Sequence, residues 1–366
     1  MSGLKKYEQI VKAITDGIVS GKYIPLGPIP SERALMMRFK TARDTVRKAL
    51  SVLDAQRMIY RRPGRVTVVS DRVLKSRMKI GVMISGCTFT EIFRSICDAV
   101  KEFAALECVE VVVGDASEVS VGLDSESAVL AVAERLVASG IRGVIFQPVQ
   151  FSKTSDETNR RIVSVFREAG IEVVLVDCDV VRKPDRSCFD LVDIDNFNAG
   201  RIAVKHAIDR GARKVVFVAR AWSANTVVER AKGVKSGADS AEVKVLTLES
   251  TSDYRMIESA LKGVGVFDTV ICQNDIAAMN VMAVLKRMGM NVPKDVMVIG
   301  FDDVVMAGRS IPGLTSVHQP CRDIAEQAFR RLLARIDNPS ASPLHIHCGE
   351  SLVVRGSTER DWHKTH

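Results

Sequence analysis

The chain has 366 residues, 46% of them apolar, with 52 Lys and Arg against 44 Asp and Glu for a net charge of +8. That length points to two or three domains, and the apolar share is enough to fill their cores. No run of about 18 apolar residues occurs, which argues against a membrane-spanning helix, and Met1 to Lys6 lack a signal-like apolar segment, so a cytoplasmic location is expected.

The charge is unevenly spread. Residues 1–77 hold 17 Lys and Arg against 6 Asp and Glu, a net of +11, which leaves −3 for the rest. A basic N-terminal fifth on a slightly acidic body is the electrostatic footprint of a module that sits on phosphates.

In chain order, Tyr7, Ile10, Ile14 and Ile18 recur at helical spacing up to Gly21. A second helix opens after Ser31, a natural N-cap, and buries Leu35, Met36 and Phe39. Lys40 and Thr41 form a turn. A third helix follows with Val46, Leu50 and Leu53 as its apolar stripe and Arg43, Thr45, Arg47 and Lys48 at its start. A helix that buries one stripe and offers Arg and Thr from its first turn suits the major groove, where Arg makes two hydrogen bonds to guanine and Thr reaches a phosphate or a thymine methyl. Met58 to Val69 then reads as strand, basic turn (Arg61, Arg62, Pro63, Gly64, Arg65) and strand. Three helices and this β-wing make a winged helix-turn-helix over residues 1–70, with 71–78 as a linker.

This segment resembles the DNA-binding domain of the GntR family, on Tyr7, Ile10, Gly21, Gly27, Pro30-Ser31-Glu32-Arg33, Leu35, Arg43, Thr45-Val46-Arg47, Ala49-Leu50, Leu53 and Gly64. The resemblance implies DNA contacts by Arg33, Arg43, Thr45, Arg47 and the wing glycine Gly64; Lys48 and Arg62 join them as neighbouring cations. After Gly64 the wing reads Arg65-Val66-Thr67-Val68 instead of the family's Gly-Thr-Phe-Val, so its tip is expected to sit differently on the minor groove.

From Lys79 short Val- and Ile-rich runs alternate with helical patterns. Strands are expected at 80–84, 109–113, 144–146, 173–176, 214–218, 243–248, 270–272 and 297–299, with helices between them. Continuous apolar strands alternating with helices mean parallel sheets covered on both faces. The stretch is too long for one sheet, and two lobes split near Asp177 fit better. Ligands of such sheets bind beyond the carboxyl ends of the strands. There the sequence places Phe89, Gln147, Trp222, Thr226, Arg230, Asn274 and Asp302. Amides and carboxylates suit hydroxyl groups, and a flat ring covers a sugar's C–H face.

Residues 79–356 resemble the effector domain of LacI-type regulators, relatives of periplasmic sugar-binding proteins. The match rests on Asp195-Asn196, Ala199-Gly200, Ala203, Arg230, Gly233, Asn274-Asp275, Gly300-Phe301-Asp302-Asp303, Pro312, Leu314-Thr315, Val317 and Gln319. It implies effector contacts by Arg230, Asn274 and Asp302. Lys232 to Val243 is shorter and richer in Gly and Ser than the family's helix there, which puts the placement of Arg230 in doubt. The fold class expected is therefore α/β: a winged helix-turn-helix followed by a two-lobed periplasmic-binding-protein-like domain with parallel sheets, then a polar tail over 357–366. A GntR-type head on a LacI-type body is the architecture of arabinose-type repressors, though nothing here identifies the ligand.

Other motifs carry less. The eight cysteines are scattered without a CxxC, so free thiols are expected and no zinc or redox motif. His345, His347 and Cys348 alternate near a final strand and read as edge positions, so no metal or cofactor is expected. No Walker A, GxSxG or HExxH is present, and Asp302-Asp303 has no nucleophile beside it. The reading is a regulator, a repressor in its simplest form, that binds a palindromic DNA operator as a homodimer under a sugar-like effector, with no membrane partner. Two alternatives stay open: a carbohydrate- or nucleoside-processing enzyme fused to a DNA-binding head, and a DNA-binding protein whose body only dimerises.

Overall fold

The computed structural model describes residues 5–60, 66–70, 78–84, 90–114, 125–150, 154–239 and 241–359. The chain divides into two compact units, residues 1–80 with 102–111, and residues 81–101 with 112–366.

In the first unit three helices, α1 (Lys6–Val19), α2 (Glu32–Phe39) and α3 (Arg43–Ala55), close on one core. Ile10, Ile14, Leu35, Val46, Leu50 and Leu53 are buried in it. Ser31 Oγ accepts the Ala34 amide at 3.2 Å, so the expected N-cap of α2 is made. Lys40 ends α2 in the left-handed conformation, which turns the chain sharply into α3. β1 (Ile59–Tyr60) pairs antiparallel with β2 (Val68–Val69) as the wing. The basic turn between them, with Arg62 and Gly64, lies outside the described residues.

The second unit is built around two six-stranded sheets. The first runs in the order β13-β7-β6-β5-β3-β4 and the second β14-β12-β11-β10-β8-β9. The first sheet's strands are β3 (Lys79–Met83), β4 (Glu110–Gly114), β5 (Gly143–Phe146), β6 (Glu172–Val176), β7 (Asp190–Ile194) and β13 (His345–Cys348). The second has β8 (Lys214–Arg220), β9 (Glu242–Leu248), β10 (Thr269–Cys272), β11 (Met297–Asp302), β12 (Thr315–His318) and β14 (Ser351–Val353). β5, β6, β7 and β13 are parallel, as are β8 to β12; β14 alone in the second sheet pairs antiparallel. β5, β10 and nearly all of β11 are buried throughout, the pattern expected of strands covered on both faces.

The lobes do not part at Asp177. β7 follows β6 in the first sheet, and the chain crosses only after Ile194, into α7 (Asn196–Asp209) of the second lobe. β7 escapes the sequence reading because Asp190 and Asp193 interrupt its apolar run. The chain crosses back after β12 and again between β13 and β14. The return helix α12 (Cys321–Asp337) lies on the first sheet, where a Cβ on Gly143 would meet Leu332 and Ile336 at 2.7 and 2.9 Å. Asp190, fully buried, fastens it: its Oδ1 accepts from Arg331 Nε at 2.7 Å and its Oδ2 from Arg335 Nη2 at 2.7 Å. Such a buried pair holds geometry strictly, because separating its partners strands a charge.

Two further expectations need correcting. The polar tail does not begin at 357, since Ser357 and Thr358 are buried and Ser357 Oγ donates to the Val298 carbonyl at 2.6 Å. Nor are all the thiols free, because Cys97 is disulfide-bonded. In the second lobe α8 (Asn225–Ser236) is a full helix that runs past Arg230 to Ser236, despite Gly233 within it.

That glycine matters for packing. α7 and α8 cross at Gly200 and Gly233, backbone against backbone. A Cβ on Gly233 would stand 1.9 Å from the Phe197 carbonyl oxygen, and one on Gly200 2.2 Å from that of Arg230. Neither neighbour is a side-chain end that could swing away, so the helices must separate to admit a methyl group. Gly233→Ala is expected to lower unfolding free energy by about 1–3 kcal/mol, the usual cost of overpacking, as read by urea denaturation. An unchanged midpoint would show that the helices yield.

Candidate functional site

The carboxyl ends of the two sheets bring together a cluster of charges that no single segment of sequence contains. Arg230, on α8, is its centre and is 5% exposed. Its Nε donates to Asn196 Oδ1 at 2.8 Å and its Nη1 to the Gln273 carbonyl at 2.7 Å, so the guanidinium is clamped between the start of α7 and the end of β10. Nη1 also stands 3.6 Å from Asp302 Oδ1, and the guanidinium carbon lies 4.7 Å from the centre of the Phe301 ring. Asp302 ends β11. From the first lobe, Asp177 at the end of β6 feels the same cation, accepts from Gln150 Nε2 at 2.6 Å and is hydrogen-bonded by Gln319.

Burial dominates the electrostatics. It pushes the Asp302 carboxyl up to about 8 against the pull of Arg230, and Asp275 and Asp177 push the same way. Asp177 is likewise raised by burial, with Arg230 and Gln150 opposing. Asp275 is raised to about 7 by burial even though it accepts from Ser316 Oγ at 2.6 Å and the Val304 amide at 2.9 Å. One guanidinium thus faces two buried carboxyls, Asp302 and Asp177, and the buried Asp275 beside them raises Asp302 further. The Oε1 of Gln319, which is 2% exposed, has no hydrogen-bond partner among the described residues. Buried acceptors are nearly always satisfied, so this one marks a place for a donor.

The backbone is unusual here too. Asp177, Trp222, Asp302 and Asp303 have φ of 71°, 58°, 105° and 56°. Non-glycine residues held at positive φ cost energy and concentrate at functional sites. Asp303 is pinned, with Oδ1 accepting from Arg355 Nη2 at 2.6 Å and Oδ2 3.0 Å from His318 Nδ1.

The sequence-predicted residues do not all meet in one place. Arg230 and Asp302 meet at the cluster. Trp222, 53% exposed, lines a small pocket with Gln150 and Asp179 of the first lobe. Thr226 lines a separate cavity with Asp193 and Glu229. Gln147 is buried at the end of β5 and donates to the Pro148 carbonyl at 3.0 Å. Asn274 is engaged locally: its Oδ1 accepts the Ala277 amide at 3.0 Å and caps α10 (Asp275–Arg287). Phe89 lies outside the described residues. Sequence reasoning did not single out Asp177, Gln150 and Gln319 for this site. Asp177 was read as the lobe boundary, although an acid placed directly after an all-apolar strand was signal enough.

In the first unit Arg43 and Arg47, one turn apart on α3, are exposed and converge on Glu32, with Nε to Oε2 distances of 2.9 and 3.5 Å. Arg33 is exposed on α2 and Thr45 half-buried on α3. Lys48 turns away from Glu32, its Nζ 4.5 Å from the centre of the Tyr7 ring. Among the described residues no helix is long and apolar enough to cross a membrane.

Comparison with known proteins agrees with both parts. Residues 6–69 match the model of bacterial regulatory proteins of the gntR family, and residues 204–358 match the periplasmic binding protein-like domain. The HTH-type transcriptional repressor PurR of Escherichia coli O1:K1 / APEC is 34% identical over 172 residues, 45% of this chain and 50% of PurR. The chain thus spans about half the length of the curated relatives it matches. A periplasmic binding protein/LacI transcriptional regulator from Alkaliphilus metalliredigens QYMF, solved with D-xylulofuranose, superposes with a TM-score of 0.64 at 22% identity, over 77% of this chain and 99% of that one. The lac repressor dimer bound to operator and the anti-inducer ONPF gives 0.64 at 20% identity, over 79% and 98%. The body therefore has the periplasmic-binding-protein-like fold of LacI-type regulators. The matches thus fall in two parts, a gntR-type helix-turn-helix segment and a body with the LacI-type fold.

The raised Asp302 carboxyl has a consequence for stability. The folded state keeps this proton to about pH 8, whereas the unfolded chain releases it near the ordinary value of 3.8. Between those values the folded state binds more protons, so stability falls as pH rises. Asp302→Asn removes this contribution, and the wild-type melting temperature should drop relative to the variant's from about pH 5 to about pH 8.5. Parallel curves would mean that Asp302 ionises normally.

Proposed function

We propose that the chain is a sequence-specific DNA-binding transcription regulator, acting as a repressor, whose body takes up a small polyhydroxylated ligand between its lobes. The cluster of Arg230, Asp302, Asp177 and Gln319 at the facing strand ends carries the ligand half of this reading. A guanidinium already held by Asn196 and a backbone carbonyl, with carboxyls and an unpaired amide oxygen around it, suits a ligand rich in hydroxyl donors. Similarity to a regulator solved with D-xylulofuranose supports a sugar or sugar derivative.

The DNA half rests on α3. Arg43 and Arg47 are exposed on α3 while Val46 and Leu50 are buried, in a basic segment of net +11 over residues 1–77. In the free protein Glu32 restrains both guanidiniums; on DNA, guanine edges and phosphates replace it. The lac repressor dimer on its operator supports a homodimer reading a palindrome. A ligand regulates such a protein only by binding one lobe arrangement more tightly than the other, and each tenfold change in operator affinity needs about 1.4 kcal/mol of that difference. The reading is of a regulator, which the gntR-family match and the similarity to a transcriptional repressor support.

Arg43→Ala is expected to weaken specific operator binding by about 1–3 kcal/mol, measured by fluorescence anisotropy. Unchanged affinity would remove Arg43 from the groove. A thermal-shift panel of pentoses, hexoses, uronic acids, sugar phosphates and nucleosides tests the body. A ligand at about 100 times its Kd adds about 2.7 kcal/mol of stability, and the shift should vanish in Asp302→Ala while operator binding persists. A hit that survives Asp302→Ala would move the site elsewhere.

A further inference from the structure

A second cluster lies on the first lobe, outside the Arg230 site. β13 and β7 run parallel with His347 opposite Asp193 and His345 opposite Leu191. Residues two apart on a strand share a face, so both imidazoles stand on the side of the sheet that carries the Asp193 carboxylate. His345 Nε2 and His347 Nδ1 each approach the same atom, Asp193 Oδ1, at 2.8 Å, with ring centres 4.0 Å apart. The three candidate ligand atoms lie within 4.8 Å of one another.

From this convergence we infer a binding site for a divalent transition-metal cation of the zinc class, held by Asp193 Oδ1, His345 Nε2 and His347 Nδ1. Metal–ligand bonds of about 2.0–2.1 Å put neighbouring ligand atoms of a tetrahedral ion ~3.3 Å apart. The 2.8 Å separations therefore need to open by only about half an ångström to admit the ion. Two imidazoles and one carboxylate favour zinc, cobalt or nickel over magnesium or calcium. On binding, each ring presents to the ion the lone pair of the nitrogen now facing Asp193, and its proton occupies the outward nitrogen.

The setting agrees. His345 and Asp193 line a cavity with Asp179, Asp185 and Glu229 against Lys183 and Arg186, an excess of negative charge that attracts a cation. His347 is half-exposed, which gives an entry path. The place in the fold gives the ion a role. β7 leads into α7 and β13 into β14, both in the second lobe, so an ion here ties together two of the three chain crossings at their base. It would stiffen the hinge on which lobe movement depends. Read as edge positions from sequence, the two histidines do lie on an edge strand, but β7 brings a carboxylate to them.

Two N–H groups donating to one carboxylate oxygen would also satisfy these atoms without any ion, so the experiment must see the metal itself. The full chain, without a histidine tag and stripped with chelator, is titrated with Co²⁺ and followed by its visible ligand-field absorption; Zn²⁺ binding is counted by equilibrium dialysis. The expected result is a saturable band, one equivalent of Zn²⁺ per chain, and binding weakened by ~10-fold or more in His345→Ala and His347→Ala. Absence of a saturable band overturns the inference. So does a band undiminished in both variants, which would place the ion on the terminal His363 and His366. Should His345→Ala fail to fold, His347→Gln and Asp193→Asn decide by the same readout. No sugar or DNA enters the measurement, so its failure leaves the proposed function untouched.

Discussion

One guanidinium inside the body organises the candidate site. Arg230 is almost fully buried, and burying a charge is tolerable only where partners surround it. Asn196, the Gln273 carbonyl, Asp302 and the face of Phe301 supply those partners from three elements of the fold. Asp177 adds the only contribution among them from the first lobe. The chain must therefore bring the ends of β6, β10 and β11, the start of α7 and the middle of α8 to one place, or leave a bare charge in the interior.

The scaffold achieves this with close backbone contact. Gly200 and Gly233 let α7 and α8 touch, and the carbonyl that a Cβ on Gly200 would strike belongs to Arg230 itself. The glycine spacing and the arginine are thus parts of one device. Across the molecule, Asp190 plays the matching structural part in the first lobe, where its two oxygens hold Arg331 and Arg335 of α12. One buried charge centres the candidate site and the other fastens a helix. The difference lies in what remains unsatisfied: the Arg230 cluster keeps raised carboxyls and a bare Gln319 oxygen, while around Asp190 the hydrogen bonds are closed.

The head follows a different economy. Its charges lie outside, over a small core of Ile10, Ile14, Leu35, Val46 and Leu50, and exposed ion pairs such as Arg43 with Glu32 contribute little to stability. Their geometry still matters, since Glu32 gathers Arg43 and Arg47 on one side of α3.

Local features of the fold were legible in the sequence because neighbouring residues set them. Ser31 as a cap, the stripe of Val46, Leu50 and Leu53, and the short Val and Ile runs all act within a few residues, and their elements formed close to the expected bounds. The bias of positive charge toward the first 77 residues needs no folding to be read. Pairings between distant segments were hidden. β7 was missed because Asp190 and Asp193 break an apolar run, and those acids are tolerated only because Arg331 and Arg335, and the imidazoles of His345 and His347, reach them from residues more than 140 positions away. Asp177 looked like a boundary until the second lobe placed Arg230 beside it. The sequence by itself determined which segments become helix, strand and turn and where the charge lies, since those depend on local periodicity and composition. Only the tertiary structure decided which charges are buried together, because that depends on how three chain crossings bring the ends of two separate sheets face to face.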